Sequence, residues 1–343
     1  MIAAPGTADA RLEELSAWSA ATLRTGAFAL APASADASFR RYFRITLEAP
    51  WHGHPTLIVM DAPPPMENCR PFVHVAELLR GAGLHAPEVL AGDPVRGFLL
   101  LTDLGARTYL AALDAKSAPA LYGDATDALI RWQRATHDGA LPPYDEALLA
   151  RELALFPDWY VGKHLGRTLT PAQEQTLARA FRLILDNNLV QPRVFVHRDY
   201  HSRNLMLSHP NPGILDFQDA VTGPITYDLV SLLRDAYIAW EEERQIDWAV
   251  RYWERARKAR LPVGVDFGAF WRDFEWMGVQ RQLKVLGIFA RLYHRDGKAA
   301  YLDDMPRVMR YLRGACERYR ALAPLGALID EIQSGAAPGA GMS

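Results

Sequence analysis

The sequence predicts an α+β protein with two lobes, a small mixed-sheet lobe followed by a larger, mainly helical lobe. Its 343 residues exceed what one compact core usually holds. Up to about residue 104, apolar runs of strand length alternate with turns, whereas later segments show helical spacing of their apolar residues. We therefore expect an N-lobe over residues 1–104, a helical C-lobe over 105–334 and a flexible, Gly- and Ala-rich tail over 335–343.

The elements of the N-lobe follow from periodicity and from turn residues. Asp9 is a candidate N-cap for a first helix, and a Pro/Gly/His turn at 50–55 separates two strands. Along the chain we predict a helix at 9–24, strands at 39–47 and 56–60, a helix at 71–81, and strands at 88–90 and 97–101.

The C-lobe is predicted to be helical apart from one island. Helical spacing covers 119–137, 144–155, 171–188, 225–237, 246–260, 267–286 and 303–319. Between the third and fourth of these helices, residues 193–217 combine apolar strand residues with a polar loop. This island carries most of the residues with chemical potential.

Composition excludes several classes of protein. Thirty-eight basic residues against 40 acidic ones give a net charge of −2, so nucleic acid and anionic membrane are not expected partners. The two cysteines have no metal-type spacing, and the N-terminus has no signal-peptide pattern. Apolar runs such as 98–101 are too short to span a membrane, so we expect a cytoplasmic protein.

Three polar side chains of the island suit phosphoryl transfer. Asp199 follows the apolar strand 194–196, and Asn204 lies five residues further on. Asp216 lies at the end of a later predicted strand, 214–217, after a turn at 210–213. Mg²⁺ prefers oxygen ligands, which Asn204 and Asp216 supply, while a separate carboxylate, Asp199, orients the attacking hydroxyl and accepts its proton. We expect these three side chains to converge at one site.

With its flanking residues, the island resembles the aminoglycoside phosphotransferase and choline kinase superfamily. The resemblance rests on His197-Arg198-Asp199 with Asn204, on Ile214-Leu215-Asp216-Phe217, and on the segments 223–229 and 99–105. It implies a bilobal protein-kinase-like fold, ATP with Mg²⁺ as cofactors, and small-molecule partners. It also implies that Asp228 supports the catalytic loop, and that the hinge residues Leu101, Thr102, Asp103 and Leu104 bind the nucleotide. His197 is expected to be a packed, structural residue of that loop.

Four further segments resemble the anomeric amino-sugar kinases within that superfamily. They are 60–64, 191–199, 215–220 and 231–237. This resemblance implies phosphorylation of the C1 hydroxyl of N-acetylmuramate or N-acetylglucosamine, in the recycling of cell-wall peptidoglycan. Other acceptors, namely an aminoglycoside, choline or homoserine, remain alternatives on the same scaffold.

The chain departs from kinase-like folds at one position. These folds place a lysine on the third strand of the N-lobe, but no lysine precedes Lys116. Ser38 and the arginines Arg40, Arg41 and Arg44 are candidates to contact the nucleotide instead, since a guanidinium binds phosphate bidentately. A nucleotide-binding pseudokinase without activity is the alternative.

Several residues are candidates for the acceptor site, each with a plainer alternative. His201, Gln218 and Asp219 lie beside the predicted catalytic and metal-binding residues, while Trp159 and Tyr160 are able to stack on a sugar ring. The aromatic pair also suits a packed core. His197 and His201 have the spacing of a helical zinc site, so a zinc hydrolase is a further alternative, but their flanking residues predict strand and loop.

Overall fold

The computed structural model describes residues 9–35, 39–64 and 66–334, which form two compact units. The first unit contains the described residues up to Thr108 together with Met206–Asp219, and the second contains the remainder. The predicted division at residue 104 differs from these units chiefly in 206–219, which belongs with the first. Ser38 and the tail 335–343 lie outside the described residues.

The elements agree with the predicted α+β class. The strands are β1 (Phe28–Ala35), β2 (Arg41–Trp51), β3 (His54–Asp61), β4 (Val89–Asp93), β5 (Phe98–Thr102), β6 (Arg193–Val196), β7 (Leu205–Met206), β8 (Gly213–Ile214) and β9 (Val221–Pro224). The α-helices are α1 (Ala10–Leu23), α2 (Cys69–Gly81), α3 (Tyr109–Ala112), α4 (Ala118–Arg134), α5 (Glu146–Leu155), α6 (Pro171–Leu189), α7 (Tyr227–Leu233), α8 (Glu242–Lys258), α9 (Phe267–Asp296), α10 (Met305–Arg318) and α11 (Ala323–Ser334). A π-helix at Phe156–His164 and 3₁₀ turns at Ala299–Asp304 and Arg320–Leu322 complete the set.

The first unit is built on a five-stranded sheet in the order β1-β2-β3-β5-β4. Every neighbouring pair in this sheet is antiparallel, so the predicted mixed sheet is wrong in that detail. Alternate residues of β2, including Phe43 and Ile45, pack with Leu15 and Trp18 of α1 in one apolar cluster. Because side chains of a strand alternate between faces, this cluster defines the α1 face of the sheet.

The segment 206–219 joins the first unit through backbone and ring contacts. Ile214 N donates to the carbonyl of His85 at 2.8 Å, and the Phe217 ring lies 4.7 Å from that of Phe72 in α2. These contacts hold the residues around Asp216 against α2.

The second unit is helical, with the antiparallel pair β6 and β9 as its two-stranded sheet. Its longest helix, α9, has 30 residues, begins at the N-cap Asp266 and ends at Gly297, whose φ of +69° favours glycine. The middle of α9 is buried and includes the polar side chains Gln280, Arg281 and Lys284. Buried polar groups need partners, and these residues lead to the candidate site.

Within the part of the chain that the structure describes, no helix combines the length and the apolarity required to cross a membrane.

Candidate active site

The loop after β6 carries Asp199 and folds back on itself. His201 N donates to the carbonyl of Asp199 at 3.0 Å, and Asn204 N donates to that of His201 at 2.9 Å. The side chain of Asn204 donates from Nδ2 to the Asp199 carbonyl at 3.0 Å. Asp199 and Asn204 are thereby brought together. Residues 197–204 are not helical, so His197 and His201 lack the helical face that the zinc-site alternative requires.

Two buried carboxylates hold the two ends of this loop. Asp228, in α7, accepts from His197 N at 2.7 Å and from Arg198 N at 2.9 Å. This geometry agrees with the supporting role expected of Asp228. Burial raises the pKa of Asp228 to about 7, although the two amides act in the opposite direction.

Asp235 holds the other end of the loop and was not singled out from the sequence. It accepts from Ser202 N and from Tyr237 N, both at 2.8 Å. The signal available in the sequence is its place two residues after the apolar run of α7, and seven residues beyond Asp228. Both ends of the loop are therefore fixed by side-chain carboxylates that accept from backbone amides.

A buried ionic network lies next to Asp199. Glu152 in α5, 5% exposed, accepts from Arg198 Nη2 at 2.5 Å and from Gln280 Nε2 at 3.1 Å. Its Oε1 lies 2.9 Å from Lys284 Nζ, and Tyr144 OH also donates to it. The charges of Lys284 and Arg198 lower the pKa of Glu152 although burial opposes this, so the carboxylate is ionised at neutral pH.

This network determines the ionisation of Asp199. Burial acts to raise the pKa of Asp199, but the positive charges of Lys284 and Arg198 outweigh it and bring the value to about 2. Asp199 is therefore a carboxylate throughout the physiological range. The roles of Glu152 and Lys284 were not predicted, because they lie far from the loop in sequence.

The two histidines of the loop are both buried. Asp199 N donates to His197 Nδ1 at 3.3 Å, and His197 is 1% exposed. The His201 ring packs edge-on against Tyr237, with centroids 5.3 Å apart. Burial lowers the pKa of His201, so its imidazole is neutral at pH 7.

In the first unit, Asp216 has an unusual backbone for a residue other than glycine. Its φ is +61°, a conformation that costs free energy and that often occurs at functional sites. Gln218 is buried and donates from Nε2 to Asp216 Oδ1 at 2.8 Å, which orients the carboxylate. Asp219 is exposed. Gln218 is thus placed as a partner of the predicted metal ligand.

The predicted hinge leaves β5 at Thr102. Leu101 and Leu104 are buried, and Thr102 Oγ1 accepts from Glu88 N at 2.9 Å. Asp103 receives two hydrogen bonds from Arg44, at 2.6 Å from Nε and 3.1 Å from Nη2. Arg44 therefore supports the hinge segment.

Arg41 lies on the α1 face of the sheet. Its guanidinium contacts the buried carboxylate of Asp61 at 2.6 Å and also pairs with Asp9, the N-cap of α1. Asp61 accepts from Arg11 of α1 as well, at 2.7 Å. These contacts hold β2 and β3 against α1. They also engage the guanidinium of Arg41, which the sequence had suggested as a contact for the nucleotide phosphates.

Of the two aromatic candidates, Tyr160 is a core residue. It lies in the π-helix, stacked between Phe156 and His164 at centroid distances of 5.3 and 5.6 Å. Its hydroxyl accepts from Gln333 Nε2 at 2.8 Å. These contacts favour the packed-core alternative for Tyr160, while Trp159 is half-buried in the same turn.

Comparison with known proteins agrees with this geometry. A model of the family described as "Phosphotransferase enzyme family" matches residues 29–267. The chain belongs to this family. It is therefore a phosphotransferase, as predicted from the island 193–217.

Two curated relatives share most of their length with the chain. The N-acetylmuramate/N-acetylglucosamine kinase of Pseudomonas putida is 51% identical over 340 residues, which are 96% of this chain and 98% of the relative. The protein of the same name from Pseudomonas aeruginosa is 55% identical over 311 residues, 90% of this chain and 89% of the relative.

Solved structures agree at the level of the fold. A choline/ethanolamine kinase family protein from Mesorhizobium loti has a TM-score of 0.61 at 15% identity, covering 93% of this chain and 99% of that one. The aminoglycoside phosphotransferase APH(2")-IIa in complex with gentamicin has a TM-score of 0.59 at 14% identity, covering 89% and 97%. The predicted protein-kinase-like fold is confirmed.

Proposed function

We propose that this chain transfers the γ-phosphoryl group of ATP to the anomeric C1 hydroxyl of N-acetylmuramate or N-acetylglucosamine, as a step in peptidoglycan recycling. The observation that carries the proposal is the 51% identity, along 96% of the chain, to a relative named for these two sugars. Cys69 and Cys316 are free, buried thiols, which is in keeping with a reducing cytoplasm as the compartment.

Asp199 acts on the attacking hydroxyl. A carboxylate with a pKa of about 2 is a weak base, so we assign it mainly the orientation of the hydroxyl and the late acceptance of its proton. An anomeric hydroxyl suits such a weak base, because a hemiacetal is more acidic than an ordinary alcohol. The fixed loop between Asp228 and Asp235 keeps this carboxylate in place.

Asn204 and Asp216 offer a donor set that fits Mg²⁺. An amide oxygen and a carboxylate are oxygen ligands of the type this ion prefers. Asn204 Nδ2 donates to the carbonyl of Asp199, so Oδ1 is the amide atom assigned to the metal. When bound, the ion neutralises charge on the β- and γ-phosphates.

Arg40 replaces the missing lysine in this proposal. Its Nη2 lies 2.9 Å from Glu67 Oε2, and the two side chains are 10% and 12% exposed. Glu67 lies just before α2, the helix that follows β3. In protein kinases, the lysine that contacts the phosphates is paired with a glutamate of the helix that follows the third strand. We therefore assign the phosphate contact to Arg40 and not to Arg41, because Arg41 faces α1.

The proposed function is tested by ³¹P NMR of reactions containing ATP, Mg²⁺ and one acceptor at a time. We expect a sugar 1-phosphate from each N-acetylated sugar, and none from the methyl glycoside, whose C1 oxygen is blocked. Asp199→Asn is expected to lower kcat by about 10²–10⁴ while a non-hydrolysable ATP analogue still binds. Phosphorylation of an aminoglycoside, choline or homoserine instead would contradict the acceptor, and nucleotide binding without any product would favour the pseudokinase.

A further inference from the structure

The middle of α9 contains a buried arginine, Arg281, whose positive charge acts on the carboxylates of Asp199 and Asp228. Arg281 is 4% exposed. Among residues 9–35, 39–64 and 66–334, none forms a hydrogen bond or ion pair with its guanidinium. The neighbouring buried cations Arg198 and Lys284 differ from Arg281 in that each forms an ion pair with Glu152. Polar groups in the protein interior are normally hydrogen-bonded, so this position suits a ligand that accepts hydrogen bonds from the Arg281 guanidinium.

Contacts on both sides of Arg281 place it beside the loop of Asp199. Gln280 and Lys284 both contact Glu152, which also accepts from Arg198, the residue before Asp199. The positive charge of Arg281 acts on Asp199 and contributes to its lowered pKa. A ligand group that binds Arg281 would therefore lie close to Asp199, the residue proposed to orient the attacking hydroxyl.

A second buried polar group without a partner lies in the same place. His201 is 9% exposed, and no described residue forms a hydrogen bond with its buried Nδ1. It lies two residues after Asp199, packed on Tyr237, whose ring is 6.0 Å from Phe289 of α9. The loop and α9 thus present a guanidinium and a neutral imidazole near one carboxylate, and this arrangement suits an acceptor with both acidic and hydroxyl or amide groups.

We infer that Arg281 binds the carboxylate of an acidic acceptor sugar, the lactyl carboxylate of N-acetylmuramate, while His201 hydrogen-bonds a neutral group of the same sugar. The inference rests on the proposed function, since it requires the C1 hydroxyl to lie at Asp199. A guanidinium pairs bidentately with a carboxylate. A sugar without that acid leaves the Arg281 guanidinium without a hydrogen-bonded carboxylate, so the site favours N-acetylmuramate over N-acetylglucosamine.

The test compares Arg281→Gln with the wild-type enzyme on both sugars at saturating ATP. Loss of a hydrogen-bonded ion pair is expected to raise KM for N-acetylmuramate about 10- to 100-fold. The KM for N-acetylglucosamine should change less than about 3-fold, because that sugar has no carboxylate. Arg281→Lys, which keeps the charge, should recover part of the loss. Arg251→Gln, at an exposed arginine of α8, is the matched control and should affect neither sugar.

Equal losses of kcat on both sugars with unchanged KM values would overturn the inference, because they would show that Arg281 acts only through Asp199. If Arg281→Gln is inactive, calorimetry of both sugars in the presence of a non-hydrolysable ATP analogue decides. Selective loss of N-acetylmuramate affinity supports the inference, and equal loss refutes it. Failure of the wild-type enzyme to phosphorylate either sugar would instead refute the proposed function.

Discussion

Replacing Glu152 with Gln removes the negative charge that both Arg198 and Lys284 contact, with almost no change in volume. Both cations contact the Glu152 carboxylate, at 2.5 and 2.9 Å, and all three side chains are largely buried. Breaking a buried pair by removing one partner costs about 3–5 kcal/mol, a large part of the roughly 5–15 kcal/mol that stabilises a folded protein. At about 2–4 °C per kcal/mol for a large domain, Tm is expected to fall by about 6–20 °C.

Thermal unfolding and steady-state kinetics of Glu152→Gln measure this effect together. We expect kcat to fall as well, because Arg198 is adjacent to Asp199 and loses its anchor. Glu146→Gln makes the same chemical change in the same helix, but its pair with Arg182 is exposed on both sides. That variant should keep the wild-type Tm. A Glu152→Gln protein that melts within about 1 °C of the wild type would refute the buried network as a source of stability.

Three further predictions concern single side chains. Lys284→Met is expected to raise the pKa of Asp199, because removal of a positive charge disfavours the carboxylate. The acidic limb of the kcat/KM pH profile should then move to higher pH. An unchanged profile would argue against this coupling. Asp235→Ala leaves two amides without their acceptor, so the free energy of unfolding should fall by about 2–6 kcal/mol, and unchanged denaturant melts would contradict this. Arg40→Met should raise the KM for ATP about 10-fold or more. Arg41→Lys keeps an ion pair to Asp61 and should leave this KM unchanged. The reverse result would favour Arg41 as the phosphate contact.

Elements whose signals are local were predicted well from the sequence. The helix expected at 9–24 is α1, and Asp9 caps it by accepting from Leu12 N at 3.1 Å. The helix expected at 171–188 is α6, with a capping box between Thr170 and Gln173. Strand β1 was missed because Pro32 and small residues hide its pattern, and it forms as an edge strand paired with β2.

The sequence by itself was enough to identify the family and to predict a chemistry for the loop, because Asp199, Asn204 and Asp216 lie within eighteen consecutive residues and their spacing is visible in one chain. Tertiary structure alone decided which charges are paired. Glu152 and Lys284 are 132 positions apart, and Arg41 and Arg44 differ only in the face of β2 on which they lie. Ionisation, pairing and burial depend on what long-range folding brings within a few ångströms, and no local pattern encodes that neighbourhood.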